Sequence, residues 1–342
     1  MNFKTIEWKK GKVIMLDQRA LPQEKLYVEY SDYKQVADAI ELMVIRGAPA
    51  IGVAGAMGAA LGACGIRVST FDEFIAKFDD VCTTLEAARP TASNLSWAVR
   101  RMRQVAGRHK KSPLPEIQKH LEAEALAIAD EDAKMCRAIG RHGSELIRSG
   151  AKILTHCNAG ALATAGIGTA LAPIYTAQEQ GKKLSVYCTE TRPWLQGARL
   201  TAWELLQNDV AVTLITDGSA ASLLASNEID LVIVGADRIA ANGDVANKIG
   251  TLSLAIAAQR YRIPFYVAAP STTLDHACLA GTEIPIEQRR REEITHFGRI
   301  KIAPDEVRVL NPVFDVTPHD LITGIITERG VHRAPYKENL HG

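Results

Sequence analysis

From about residue 150 the chain alternates short apolar runs with helix-patterned stretches, and this alternation restricts the fold more than any other feature of the sequence. The runs are Ile153–His156, Leu184–Thr189, Val210–Thr216, Leu231–Gly235 and Pro264–Ala269, at spacings that match βαβ units. A parallel, doubly wound sheet follows. In such sheets a ligand sits beyond the carboxyl ends of the strands, near a topological switch point. The residues expected at that rim are Cys157-Asn158, Glu190-Thr191-Arg192, Asp217, Gly235-Ala236-Asp237-Arg238 and Pro270-Ser271-Thr272.

The first part of the chain reads differently. Thr5–Trp8 and Val13–Asp17 flank a Lys9–Lys12 turn, and Leu26–Tyr30 follows Pro22, which predicts a small antiparallel sheet. From Asp32 to about Arg148 the periodicity is helical, with breaks at Arg46–Pro49, Gly65–Ser69, Arg89–Thr91 and Gly107–Pro115, giving about five helices. The expected fold is therefore α/β: a small N-terminal antiparallel sheet plus helical bundle over 1–148, followed by a Rossmann-like doubly wound parallel-sheet domain over 149–342. Two domains also suit 342 residues, at roughly 100–200 residues each.

With 40 basic and 39 acidic residues the chain has no general electrostatic footprint for nucleic acid or an anionic membrane. Two uncharged tracts, Gly47–Ile66 and Cys157–Gln178, are long enough to cross a bilayer, but they consist of Gly, Ala and Thr with few Leu or Phe. Tightly packed buried helices are expected there instead. Six cysteines without a CxxC pair, and no secretory signal pattern at the start, point to a reducing, cytoplasmic setting.

Cys157 ends a predicted strand and opens a Cys-Asn-Ala-Gly turn expected to lead into a helix, whose N-terminus would favour a thiolate. A buried structural cysteine fits the same pattern. His156 is no obvious base for it, since neighbours on a strand point to opposite faces. Asp237 follows another strand, with Arg238 beside it. A carboxyl group there suits acid/base work if partly dry, and a helix cap or a salt bridge to Arg238 otherwise.

Arg46-Gly47-Ala48-Pro49 precedes a Gly/Ala helix, so a guanidinium and helix-start amides could hold a phosphate, or the segment could simply be a break between packed helices. Arg89-Pro90-Thr91, with Ser93 and Asn94, repeats the recipe. Asn247-Lys248, expected to open a helix after Asp237, and Arg192 with Gln196, expected in a loop, are either ligand contacts or surface groups. Gly166-Ile167-Gly168 lacks the third glycine of a dinucleotide loop and is expected inside a helix. No motif implies a metal or an organic cofactor.

Several of these segments together resemble the methylthioribose-1-phosphate isomerase family along nearly the whole chain. Arg46–Gly52 (RGAPAIG) resembles its phosphate loop, and Arg89–Leu95 (RPTASNL) its second substrate-contacting segment. Thr155–Gly160 (THCNAG) resembles the segment with the catalytic cysteine, and Thr189–Thr201 (TETRPWLQGARLT) carries the substrate glutamine at Gln196. Gly235–Ile239 (GADRI) resembles the segment with the catalytic aspartate, and Gly243–Gly250 (GDVANKIG) the substrate Asn-Lys pair.

The resemblance implies Cys157 and Asp237 as catalytic residues and Arg46, Gly47, Ala48, Arg89, Gln196, Asn247 and Lys248 as substrate contacts. It implies a small-molecule sugar phosphate as substrate, no cofactor and a homodimer. The implied activity is aldose–ketose isomerisation of 5-methylthioribose 1-phosphate to 5-methylthioribulose 1-phosphate in methionine salvage. Hydrogen would move between C2 and C1 as a proton or as a hydride. Isomerases of 5-deoxyribose 1-phosphate or ribose 1,5-bisphosphate share the fold, as do non-catalytic regulatory subunits of the translation-initiation guanine-nucleotide exchange factor. A thiol hydrolase is a further reading of Cys157 that lacks a local base.

Overall fold

The computed structural model describes residues 1–90 and 92–340. The chain divides into two compact units, Met1–Arg137 with Gly160–Gly168, and Ala138–Ala159 with Thr169–Gly342.

The first unit opens with an antiparallel sheet of β1 (Ile6–Lys9), β2 (Lys12–Leu16) and β3 (Tyr27–Tyr30). Five helices follow: α1 (Tyr33–Glu41), α2 (Ala48–Gly65), α3 (Phe71–Ala87), α4 (Ser93–Arg108) and α5 (Leu114–Ser144). Local chemistry sets the starts of two of them. Asp32 caps α1 through the Lys34 amide, and Thr70 with Glu73 forms a capping box on α3.

The Gly/Ala tract forms α2, long and apolar enough to cross a membrane but mostly buried as a core helix. Its small residues allow close approach. A Cβ at Gly55 would lie 2.4 Å from Leu95 Cδ1, and one at Gly62 would lie 2.4 Å from Val81 Cγ1. The core of this unit is built on that contact, with Phe74, Phe78, Leu85, Val99 and Met102 packed around α2.

The second uncharged tract is not a run of buried helix. After Cys157 the chain makes one 3₁₀ turn at Ala161–Ala163 and stays irregular until α6 (Ala172–Glu179), so Gly166-Ile167-Gly168 lies outside any helix. Side chains replace the helical ladder here. Asp132 Oδ2 accepts the Ala165 amide at 2.6 Å, and Thr164 Oγ1 accepts those of Gly166 and Gly168, both at 3.1 Å.

The second unit holds a seven-stranded sheet. Its strands are β4 (Ala151–Thr155), β5 (Leu184–Thr189), β6 (Val212–Ile215), β7 (Leu231–Val234), β10 (Phe265–Ala268), β15 (Gly324–Thr327) and β16 (Gly330–His332). Between β7 and β15 in the chain also lie the short strands β8 (Arg238–Ala240), β9 (Val245–Lys248), β11 (Leu274–Asp275), β12 (His296–Phe297), β13 (Ile300–Lys301) and β14 (Phe314–Thr317).

The order in the large sheet is β16-β15-β10-β7-β4-β5-β6, parallel except for β16 at one edge. From β4 the chain adds β5 and β6 on one side, then returns to place β7, β10 and β15 on the other. The reversal puts the topological switch point between β4 and β7, where the strand ends open a crevice. All five strands read from the alternation are present. A second sheet of β11-β8-β9-β14 was not expected; its members are two to four residues long, too short to leave a periodic signal.

Candidate active site

Cys157 comes two residues after β4 and Asp237 three after β7, so the two candidate reactive groups stand at the carboxyl ends of the strands that flank the switch point. Cys157 is half-buried and Asp237 exposed. The dry setting considered for the aspartate is therefore not supplied by burial. Its amide donates to Ala246 O at 2.9 Å, which ties it to β9. Arg238 engages Asp275, Nη1 to Oδ2 at 3.4 Å.

No α-helix begins at Cys157, so the helix-start effect expected for its thiol is absent. The Cys157 backbone is instead held at both ends. It adopts a left-handed conformation, φ 61°, uncommon for a residue with a Cβ. Its N–H donates to Thr191 Oγ1 at 2.9 Å, and its carbonyl accepts from Thr201 Oγ1 at 2.5 Å.

Below it lies a buried polar network. Asn158 Nδ2 donates to Thr201 Oγ1 at 3.1 Å and to Glu204 Oε2 at 3.0 Å, and the Tyr175 hydroxyl donates to Glu204 Oε1 at 2.9 Å. Burial, with the Glu204 carboxylate beside it, pushes the Tyr175 phenol well above its ordinary range.

His156 is buried. Nε2 lies 2.8 Å from Ile249 O and Nδ1 2.6 Å from Thr189 Oγ1. Burial lowers its pKa, so the ring is a neutral structural link and not a base for Cys157.

Gln196 stands half-buried just before a single π-helical turn, Gly197–Thr201, a distortion frequent at functional sites. Its Oε1 is buried with no hydrogen-bond partner among the described residues, an acceptor open to a ligand hydroxyl. Arg192 is committed locally, its guanidinium bonding Pro193 O at 3.1 Å and Ile294 O at 3.3 Å.

Asn247 and Lys248 do not open a helix. They end β9, paired in register with Asp315 and Phe314 of β14, and the helix Thr251–Tyr261 starts only after Gly250 at φ 105°. Both are buried, and Lys248 Nζ lies 5.3 Å from the centre of the Phe314 ring. Asp315 caps the turn through the amides of Gly250 (2.7 Å) and Leu252 (3.1 Å), and burial raises its carboxyl pKa.

In the first unit the two anion-binding candidates meet. Arg46 is half-buried, Gly47 sits at φ 90° as the N-cap of α2, and Ala48 is its first residue. Half-buried Arg89 precedes α4; Thr91 of the same segment lies outside the described residues. A Cβ at Gly52 would lie 3.1 Å from Asn94 O, so the starts of α2 and α4 lie side by side. Neither start is capped by a side chain. Two helix N-termini with two arginines form a site suited to a dianion.

Thr201 and Glu204 were missed as part of the network below Cys157, whereas Thr191 was expected at the rim without a role. Thr191 carried a signal in its place after β5, whereas Glu204 sits in an ordinary helix, Ala202–Gln207, and carried none.

The chain is 55% identical over 340 residues to the methylthioribose-1-phosphate isomerase of Geotalea uraniireducens, covering 99% of this chain and 98% of the relative. It superposes on the 5-methylthioribose 1-phosphate isomerase of Pyrococcus horikoshii with a TM-score of 0.94 at 45% identity, over 98% of this chain and 94% of the other. A structure described as translation initiation factor eIF-2B, subunit delta, from A. fulgidus matches with a TM-score of 0.92 at 40% identity, over 99% and 98% of the two chains. The model of the initiation factor 2 subunit family matches residues 44–334, and the chain belongs to that family.

Proposed function

We infer that this chain is an aldose–ketose isomerase that converts 5-methylthioribose 1-phosphate to 5-methylthioribulose 1-phosphate, a step of methionine salvage. What supports the reading most is Cys157 and Asp237 together at the switch point, in a chain that shares more than half its residues with isomerases of that name. A binding module of the same fold has no need of that pair.

The substrate is a furanose whose anomeric oxygen carries phosphate, so its ring does not open freely and the protein must assist. Protonated Asp237 donates to the ring oxygen as the bond from C1 to that oxygen breaks. Cys157 assists the move of hydrogen from C2 to C1, and the C2 hydroxyl gives up its proton as the ketone forms. General acid/base steps of this kind each contribute roughly 10²–10⁴ in rate.

Arg46, the amides of Gly47 and Ala48, Arg89 and Lys248 take the phosphate. Gln196 and Asn247 take sugar hydroxyls. The reading extends to a homodimer in the cytoplasm, where six cysteines outside any disulfide are at home.

The test is turnover of purified protein on 5-methylthioribose 1-phosphate beside 5-deoxyribose 1-phosphate and ribose 1,5-bisphosphate, with Cys157→Ala and Asp237→Asn as controls. Selective turnover of the first, abolished in both variants, is expected. No turnover of any sugar would leave the regulatory binding module as the function. In D2O, deuterium at C1 of the product marks a proton route, and its absence a hydride route.

A further inference from the structure

Thr191 is fully buried at φ 64°, and a β-branched residue in the left-handed region is a genuine outlier. Glycine or asparagine would hold that backbone with less strain. What threonine adds is its hydroxyl, and the surroundings are built around it. Oγ1 accepts the Cys157 amide at 2.9 Å and lies 3.1 Å from Thr189 Oγ1 and 3.3 Å from Thr189 O. A Cβ on Gly197 would come within 2.9 Å of the same oxygen, so glycine there leaves it room. The Thr191 backbone is fixed in turn by Asp217, which accepts the amides of Thr191 (2.8 Å) and Arg192 (2.7 Å).

The proton directions along this line follow from its end. Ile249 O can only accept, so His156 carries its proton on Nε2 and Nδ1 accepts from Thr189. Thr189 Oγ1 gives its proton to the ring, the Thr191 hydroxyl donates to Thr189 at Oγ1 or at the carbonyl oxygen, and the Thr191 oxygen is left to receive Cys157 N–H.

We propose that Thr191 is a positioning residue for the reaction, its hydroxyl holding Cys157 in the left-handed conformation that sets the direction of the thiol. The proposal rests on the isomerase reading. Two left-handed residues bonded to each other, side chain to backbone, keep the reactive sulfur from following its backbone into the broad extended basin open to an unconstrained cysteine.

The experiment compares Thr191→Ser, which keeps the hydroxyl, with Thr191→Gly, which keeps the backbone conformation and loses it. Steady-state kinetics and iodoacetamide labelling mapped by peptide mass are read together, with half-buried Cys64 as the internal reference. In Thr191→Gly, kcat is expected to fall roughly 10- to 100-fold with KM within about threefold, the cost of a misplaced reacting group. Labelling of Cys157 should change at least about threefold from wild type while that of Cys64 stays constant, and Thr191→Ser should restore both.

Wild-type kcat and Cys157 labelling in Thr191→Gly would overturn the proposal, as would equal changes at Cys64 and Cys157 or equal losses in both variants. If the wild type turns over none of the sugars, the isomerase reading fails on its own, and the labelling arm still decides whether Thr191 sets the thiol.

Discussion

His156 Nε2 lies 2.8 Å from the carbonyl oxygen of Ile249, a bond that joins the residue before Cys157 to the residue after Lys248. It fastens the end of β4 to the turn between β9 and the following helix, so the cysteine and the lysine share one support. Burial depresses the histidine's pKa, which makes the bond pH-sensitive through the unfolded state. Above about pH 6.5 the ring is neutral whether folded or unfolded, and its contribution is complete. As pH falls below that value the unfolded chain binds a proton that the folded chain does not, and stability is lost until the lower folded pKa is reached.

His156→Phe, which fills the same space without titrating, should therefore be less stable than wild type at pH 8, through two lost hydrogen bonds worth about 1–3 kcal/mol each when a polar group is left buried. The gap should narrow by up to about 1.4 kcal/mol per pH unit below pH 6.5. Urea unfolding at pH 8, 6.5 and 5.5 measures it. A constant gap would mean that the folded ring takes up its proton over the same pH range as the unfolded one.

Much of the fold was legible because each element carried its own signal. β7 and β10 are apolar and buried throughout, as strands covered on both faces must be, and the helix breaks fell where Gly, Pro or a capping residue interrupted the periodicity. The places of Cys157 and Asp237 at the rim were legible because the strands before them were.

The failures share a cause in tertiary context. Asn247-Lys248 looked like a helix start, but pairing of β9 with β14 holds it extended. The segment after Cys157 looked helical by composition, but Asp132 and Thr164 take the amides that a helix would have used. Neither partner is near in sequence to the residue it overrides, save Thr164.

Gly197 is where the π-turn meets the sheet. A Cβ there would lie 1.7 Å from Thr189 O, an overlap that only a backbone shift relieves. Gly197→Ala should cost at least about 3 kcal/mol, or prevent folding, and should lower turnover of whatever folds, because Gln196 and Thr191 move with that backbone. Thermal unfolding reads the first effect and kinetics the second. A melting temperature within about 2 °C of wild type would show that the turn adapts without strain.

Lys248 separates affinity from stability. Its ammonium is buried over the Phe314 ring, and methionine has the length to keep that packing without the charge. Lys248→Met should keep or raise the unfolding midpoint while weakening the sugar phosphate roughly 10- to 100-fold, the scale of one charge-assisted phosphate contact. KM beside the urea midpoint separates the two. Unchanged KM would remove Lys248 from the substrate contacts.

Asp132 gives the opposite pH signature to His156. Burial pushes its carboxyl up to about 6 although the Ala165 amide donates to it. Between about pH 4, the unfolded value, and pH 6 the folded chain holds a proton that the unfolded chain has released, so stability falls as pH rises through that window. The span corresponds to about 3 kcal/mol, fully lost above pH 6. Asp132→Asn keeps an acceptor for Ala165 and cannot titrate. Relative to it, the wild type should lose stability from pH 4 to pH 6.5 and stay level above. Because Ala163 of the same segment packs against Gly47, where a Cβ would approach Ala163 Cα to 2.5 Å, inorganic phosphate affinity should change with the same midpoint. A flat stability difference across pH 4–7 would mean that Asp132 is ionised in the folded chain throughout, held by more than the single amide.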